Sequence, residues 1–344
     1  MISEEIIAAG NKARADYHDS IRAVMAKRRI EADKARRLTH KEIRENPEKC
    51  REEFKKMLGW PLTDYDKEIP TAEWTLLGIQ EDKEIYRVIL SLPIGISFYG
   101  IYFKHTGTDK RPLVIFQHGG MGTPEFCMGI TDRGSGYYHE AADRLFSRGI
   151  NVFAPGLLLW NTEKYGPEFK DSNITETRSK IDAELKQVGS SITAIEIYSI
   201  MKTIDYLSTQ PETDTERIGM TGLSYGGFFT DYTTAIDTRI KTAFSTGQFS
   251  NRYENVFTDW TWTESAYKFF DVEVASLIYP RPLFIEIGKR DYVFNYETTV
   301  REVEELKSVY GKDNEWVKFE LFDGSHVYPP NNELLDKFID ALYN

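Results

Sequence analysis

The sequence predicts an α/β fold, with a mostly parallel sheet covered by helices on both faces and an N-terminal helical extension in front of it. Three observations carry this expectation. From about residue 70, short β-branched and aromatic runs alternate with helix-length stretches, the pattern of a parallel sheet with crossover helices. Residues 3–58 contain scarcely any Gly and are dominated by Ala, Arg, Lys and Glu, a helical composition. The 344 residues, 41% hydrophobic and 13% aromatic, are enough to bury a large core.

The extension is expected over residues 1–69. Its apolar positions Ile21, Val24 and Met25, then Phe54, Met57 and Leu58, recur at helical spacing. Asn46-Pro47 breaks the run, Pro47 suits the first turn of a new helix over 47–57, and Gly59 with Pro61 ends it. The segment reads as a helical apron on the main body, or else as a lid or an oligomer contact. The main domain follows over 70–344. Trp74–Gly78, Tyr86–Leu92 and Ile96–Lys104 read as a meander of early strands. Leu113–Gln117 is apolar enough for a central strand buried on both faces. Tyr137–Arg148 reads as a helix, Ile150–Ala154 as a strand, and Ser191–Ser208 as a helix. Strands are expected at Arg217–Thr221, Lys241–Thr246, Pro282–Ile287 and Val317–Phe322, and helices at Gly226–Ile236, Val300–Tyr310 and Glu333–Leu342. Two insertions interrupt the alternation, a polar loop over about 156–186 and an aromatic-dense stretch over 249–270. Both leave from carboxyl ends of expected strands, where open α/β sheets place their ligand crevices.

Charge and composition exclude several classes. The net charge of −11 disfavours phosphate backbones and anionic membrane surfaces, so neither nucleic acid nor membrane is expected as a partner. The charge is uneven: residues 1–58 carry a net +4 and the remainder a net −15. No apolar run reaches the ~18 residues of a membrane helix. The start, Met-Ile-Ser-Glu-Glu, shows no secretory pattern, and two cysteines, Cys50 and Cys127, make no disulfide framework. A cytoplasmic chain is the expectation. No His-x-x-x-His or Cys-x-x-Cys spacing and no G-x-G-x-x-G after a strand occurs, so neither metal nor nucleotide cofactor is implied.

The chemistry concentrates in three places. Gly222-Leu223-Ser224-Tyr225-Gly226-Gly227 sits between an expected strand and an expected helix, the setting of a G-x-S-x-G elbow that exposes its serine. Bulkier residues at 222 or 226 would clash, and the bend points the Tyr225 N–H toward developing negative charge. His118-Gly119-Gly120-Met121-Gly122 follows the central strand. Its backbone can supply a second oxyanion donor, Gly120 first and Met121 second, while His118 braces the loop. A serine needs a base and the base needs an orienting acid. Of six histidines, only His326 follows a strand near the C-terminus, in Phe322-Asp323-Gly324-Ser325-His326. Asp291 ends the turn after the strand Pro282–Ile287 and is the expected acid, with Asp323 the rival. Trp260 and Trp262, together with Trp160 in the other insertion, are candidates for a substrate wall. The alternative is that the insertion buries its own aromatics.

Serine, acid and histidine in that chain order, each after a strand, resemble the α/β-hydrolases over about residues 75–344. His118-Gly119-Gly120, the Ser224 elbow, Gly288-Lys289-Arg290-Asp291 and the lead-in Phe54–Leu62 are similar to the dienelactone-hydrolase and acetyl-xylan-esterase-like branch. The chain departs from both. Dienelactone hydrolases use a cysteine nucleophile. The deacetylase type has Arg-Gly-Gln and His-Glu where this sequence reads Pro155-Gly156-Leu157 and His326-Val327. The resemblance implies an α/β-hydrolase fold and a serine hydrolase acting on a small-molecule carboxylic ester. A short acyl (acetyl) ester of a carbohydrate or plant-derived alcohol is the expected substrate. The alternatives are an oligopeptidase-like peptidase, or a non-catalytic binding protein on a hydrolase scaffold. A homo-oligomer through the N-terminal helices is the expected assembly.

Overall fold

A computed structural model describes residues 2–120, 122–131, 135–158 and 178–344. Two helices lead: α1 (Ile2–Glu45) and α2 (Pro47–Leu58), parted at Asn46-Pro47, where proline cannot continue the hydrogen-bond ladder. The strands are β1 (Thr71–Gln80), β2 (Lys83–Ser91), β3 (Ser97–His105), β4 (Arg111–Gln117), β5 (Asn151–Pro155), β6 (Thr213–Leu223), β7 (Ile240–Thr246), β8 (Leu283–Gly288) and β9 (Val317–Phe322). They form one sheet in the order β1-β2-β3-β5-β4-β6-β7-β8-β9. β1, β2, β3 and β5 pair antiparallel, and from β5 through β4 to β9 all pairs are parallel. The remaining helices are α3 (Pro124–Cys127), α4 (Ser135–Tyr138), α5 (Ala141–Phe146), α6 (Arg178–Gln187), α7 (Ile192–Leu207), α8 (Tyr225–Ile236), α9 (Ser265–Lys268), α10 (Asp271–Ser276), α11 (Tyr296–Tyr310) and α12 (Glu333–Tyr343).

Both faces of the sheet are covered, and the central strands show it residue by residue. Leu113 and Ile115 enter one core cluster, with Ile197, Phe228 and Ile285. Val114 and Phe116 enter the other, with Leu145, Phe284 and Phe338. Successive side chains of a strand point to opposite faces, so a doubly covered strand must be apolar throughout.

The expected helix over 137–148 is two short helices instead. His139 and Glu140 have φ of 46° and 55°, left-handed values that end α4 and restart the chain as α5. The break leaves the Tyr137 carbonyl to accept from Tyr328 N–H at 2.7 Å, tying this corner to the segment after His326. The polar insertion is also shorter than expected, because helix resumes at Arg178 rather than after 186.

The extension packs on the body through α2 and the second half of α1. Arg51 of α2 is buried, and its guanidinium donates to Ala235 O (2.6 Å) and Leu277 O (2.9 Å), near the carboxyl ends of α8 and α10. Arg36 donates to Ala266 O, and His40 pairs with the buried Glu273 at 2.7 Å. No helix among the described residues is long and apolar enough to cross a membrane.

Candidate active site

Six strands of the parallel region release the site loops from one edge. β4 leads to His118-Gly119-Gly120, β5 to Gly156-Leu157, β6 to Ser224, β7 to Gly247, β8 to Asp291 and β9 to His326. A parallel sheet aligns all its carboxyl ends, so residues far apart in sequence meet there.

Ser224 stands between β6 and α8 with φ 59° and ψ −117°, a conformation rare for any residue with a Cβ. The bend is held by backbone bonds from both neighbours. Ser224 N–H donates to Thr246 O (2.8 Å), and Phe228 N–H donates to Ser224 O (2.9 Å). Gly226 lies so close to β4 that a methyl there would overlap the Gln117 carbonyl. A methyl on Gly222 would stand 2.5 Å from the Gly226 carbonyl carbon. The turn is thus too tight for side chains at either glycine.

Beyond Thr246, Gly247 passes against the second half of the site. A methyl on Gly247 would be 3.3 Å from His326 Nδ1 and 3.4 Å from Asp291 Oδ2. His326 Nδ1 itself lies 2.8 Å from Asp291 Oδ2. The other carboxylate oxygen, Oδ1, accepts from Val293 N–H (2.8 Å) and Phe294 N–H (2.9 Å). The acid is therefore locked by the turn that follows it. With Nδ1 donating to Asp291, Nε2 is left as the accepting nitrogen. Phe294 stacks near the imidazole at 5.8 Å and 26°. Ser224 Oγ makes no hydrogen bond among the described residues, an arrangement that tightens in many hydrolytic sites only when substrate arrives.

The loop after β4 is braced from beneath. His118 is wholly buried. Its Nδ1 donates to Gly119 O (2.8 Å) and its Nε2 accepts from Leu157 N–H (3.0 Å). Burial pulls its pKa down to about 4, so the ring is neutral and fixed in one tautomer. Gly119 N–H donates to the Tyr138 hydroxyl at 2.8 Å. Gly120 follows at the crevice side of this loop, and Tyr225 N–H opens helix α8.

A buried ionic network frames the same crevice. The Arg178 guanidinium meets Glu196 at 2.6 and 2.7 Å and Asp259 at 2.7 Å. Burial works against its charge, but the two carboxylates outweigh burial and hold its pKa above the ordinary value. Glu196 also accepts from Leu158 N–H (2.8 Å), and Asp259 from the Tyr225 hydroxyl (3.3 Å). The network joins both insertions, α7 and the first residue of α8.

No family model matches the chain. The curated protein named "Putative hydrolase YtaP" of Bacillus subtilis (strain 168) is 27% identical over 274 residues, covering 76% of this chain and 88% of that protein. A solved structure described as a "putative acetyl xylan esterase" from Bacteroides fragilis NCTC 9343 superposes with a TM-score of 0.63 at 15% identity. It covers 88% of this chain and 83% of that one. A glucuronoyl esterase from Solibacter usitatus gives 0.60 at 15% identity, over 86% and 92%. This chain has the α/β-hydrolase fold.

Ser224 stands at the strand–turn–helix after β6, and Asp291 and His326 occupy the loops after β8 and β9. The structure thus brings Ser224, Asp291, His326, Tyr225 and Gly120 to one edge. The rival acid Asp323 points to solvent, 79% exposed, and pairs with Arg290. Met121 and Trp160 lie outside the described residues. Trp260 and Trp262 are core residues here, not an open wall: they are 2% and 7% exposed. Trp260 stacks on Phe228 at 4.5 Å and 6°, and Trp262 packs near Tyr232 at 6.0 Å. Both pack against α8. Sequence reasoning missed Tyr138, Phe294 and Arg178, each of which acts across a long stretch of chain that no local pattern reports. Among the described residues, no cluster of three or more His, Cys, Asp or Glu is placed to hold a metal ion.

Proposed function

We propose that this protein is a serine hydrolase that cleaves carboxylic esters through an acyl-enzyme. The observation that supports this most is the 2.8 Å His326–Asp291 pair beside a serine held in a strained elbow. Neither feature has a role in packing that another residue type would not fill at lower cost.

In this reading His326 Nε2 takes the Ser224 proton as Oγ attacks the ester carbonyl. Asp291 fixes the imidazole and stabilises the imidazolium. Tyr225 N–H at the start of α8 and Gly120 N–H receive the oxyanion, helped by the helix dipole. His326 then protonates the leaving alcohol, and a water molecule repeats the sequence on the acyl-enzyme. The esterase names of the fold neighbours favour a short acyl ester of a carbohydrate or plant-derived alcohol as substrate.

The test is a panel of p-nitrophenyl esters and acetylated sugars with the wild type and Ser224→Ala. The wild type should turn over acetyl esters fastest, and the variant should lose roughly 10⁴–10⁶ of kcat while staying folded. Fluorophosphonate labelling at a residue other than Ser224 would remove the assignment. Faster cleavage of peptides than of esters would move it to the peptidase reading.

A further inference from the structure

The first 27 residues of α1 leave the body. From Ser3 to Arg28 nearly every residue is exposed, and packing on the body begins near Arg28 and Arg29, which lie over the rings of Tyr267 (5.0 Å) and Tyr253 (4.6 Å). This arm is about 40 Å of helix at 1.5 Å per residue. Its large apolar side chains are Ile6, Ile7, Tyr17, Ile21, Val24 and Met25, each between 38% and 70% exposed. At 100° per residue all six fall within a wedge of about 100°, while Lys12, Asp16, Asp19, Arg22 and Lys27 lie outside it. A solvated helix gains nothing from such a stripe.

The stripe has the spacing of a two-helix seam. Ile7, Gly10, Arg14, Tyr17, Ile21, Val24 and Arg28 alternate by three and four residues. It is also complementary to itself when reversed. In an antiparallel pair whose facing residue numbers add to 31, Ile7 meets the partner's Val24 and Gly10 meets the partner's Ile21. Arg14 lies over the partner's Tyr17, a cation–π contact. Parallel pairing would instead set Arg14 on Arg14, Arg28 on Arg28 and Gly10 on Gly10, leaving like charges opposed and a gap. The antiparallel pairing is a two-fold contact, closed and the same on both sides. It also keeps the two bodies at opposite ends of the paired arms.

We propose that the N-terminal arm is a dimerisation element that pairs antiparallel with the same arm of a second copy. Light scattering of the full chain after size exclusion at ~50 µM should give twice the 39.8 kDa chain mass. Ile21→Glu with Val24→Glu, at positions 44% and 60% exposed, should give the monomer mass with the fold retained by circular dichroism. Under oxidation, Ile7→Cys with Val24→Cys should form a covalent dimer, while Ile7→Cys alone should not. Cross-linking by Ile7→Cys alone would overturn the antiparallel pairing. A monomer at that concentration overturns the proposal outright. A monomer that cosediments with phosphatidylglycerol vesicles would assign the stripe to a membrane surface instead.

Discussion

Ser224 keeps a backbone conformation that a glycine would hold more cheaply. At φ 59° and ψ −117° the cost is of order 1–3 kcal/mol, supplied by the close packing of β4, β6 and α8 around the turn. Ser224→Gly should therefore raise stability by about 1 kcal/mol in urea denaturation while abolishing esterase activity. A destabilised Ser224→Gly would show that the elbow is not strained. The acid can be tested against its neighbour in sequence. Asp291 accepts three hydrogen bonds, one of them from His326. Asp291→Asn should lower kcat by about 10⁴, since the amide favours the wrong imidazole tautomer. Asp323→Asn, at an exposed pair with Arg290, should change kcat less than about threefold. A reversed order of damage in steady-state kinetics would reassign the acid.

The insertions matter at the scale of elements. In their described residues, Arg178 and Trp260 are buried groups that pin helix α6 and the aromatic stretch to the body. Trp260 is covered by Phe228 on one face and packs with Tyr225 at 4.5 Å. Trp260→Ala should cost roughly 3–5 kcal/mol of stability, and activity per folded molecule should fall only as far as Tyr225 shifts. Arg178 is more sensitive. Its replacement leaves Glu196 and Asp259 buried without their cation, and breaking such a pair costs about 3–5 kcal/mol. Arg178→Met should lower the melting temperature, and simultaneous Glu196→Gln should recover part of the loss. Additive losses in the double variant would show that the three groups do not act as one network.

For the whole molecule, one handle on stability is pH acting through Glu286. This side chain lies inside the sheet on β8, almost wholly buried, and neither carboxyl oxygen has a hydrogen-bond partner among the described residues. Burial first, and then Glu320, push its pKa up to about 8 from an ordinary 4.5. Between those values the folded chain keeps a proton that the unfolded chain has released. Stability therefore falls as pH rises from about 4.5 to about 8, then levels off for this group. Glu286→Gln should flatten that slope, being more stable than the wild type by about 2–4 kcal/mol at pH 8 and nearly equal below pH 4.5. Urea titrations at pH 4.5 and pH 8 measure both ends, and an unchanged slope would show that Glu286 is ionised in the fold. Glu302, pushed by burial to about 7, adds a slope of the same sign over a narrower window.

What the sequence determined by itself was whatever depends on neighbours in the chain. The central strand β4 was legible because a doubly buried strand must be apolar throughout, as Leu113–Phe116 are. The glycines of the Ser224 elbow were legible because a tight turn excludes side chains whatever surrounds it. The break at Asn46-Pro47 followed from proline alone. Tertiary structure decided the rest. The left-handed pair His139–Glu140 has no local signature. It pays off only where Tyr138 and Tyr137 reach the loop after β4 and the chain after His326. Arg178, Glu196 and Asp259 stand 18 and 81 residues from one another along the chain and meet only because α6, α7 and the aromatic insertion fold over one sheet edge. That Trp260 and Trp262 are core residues was set by α8, whose Phe228 and Tyr232 cover them, and no local pattern reports what a side chain will meet.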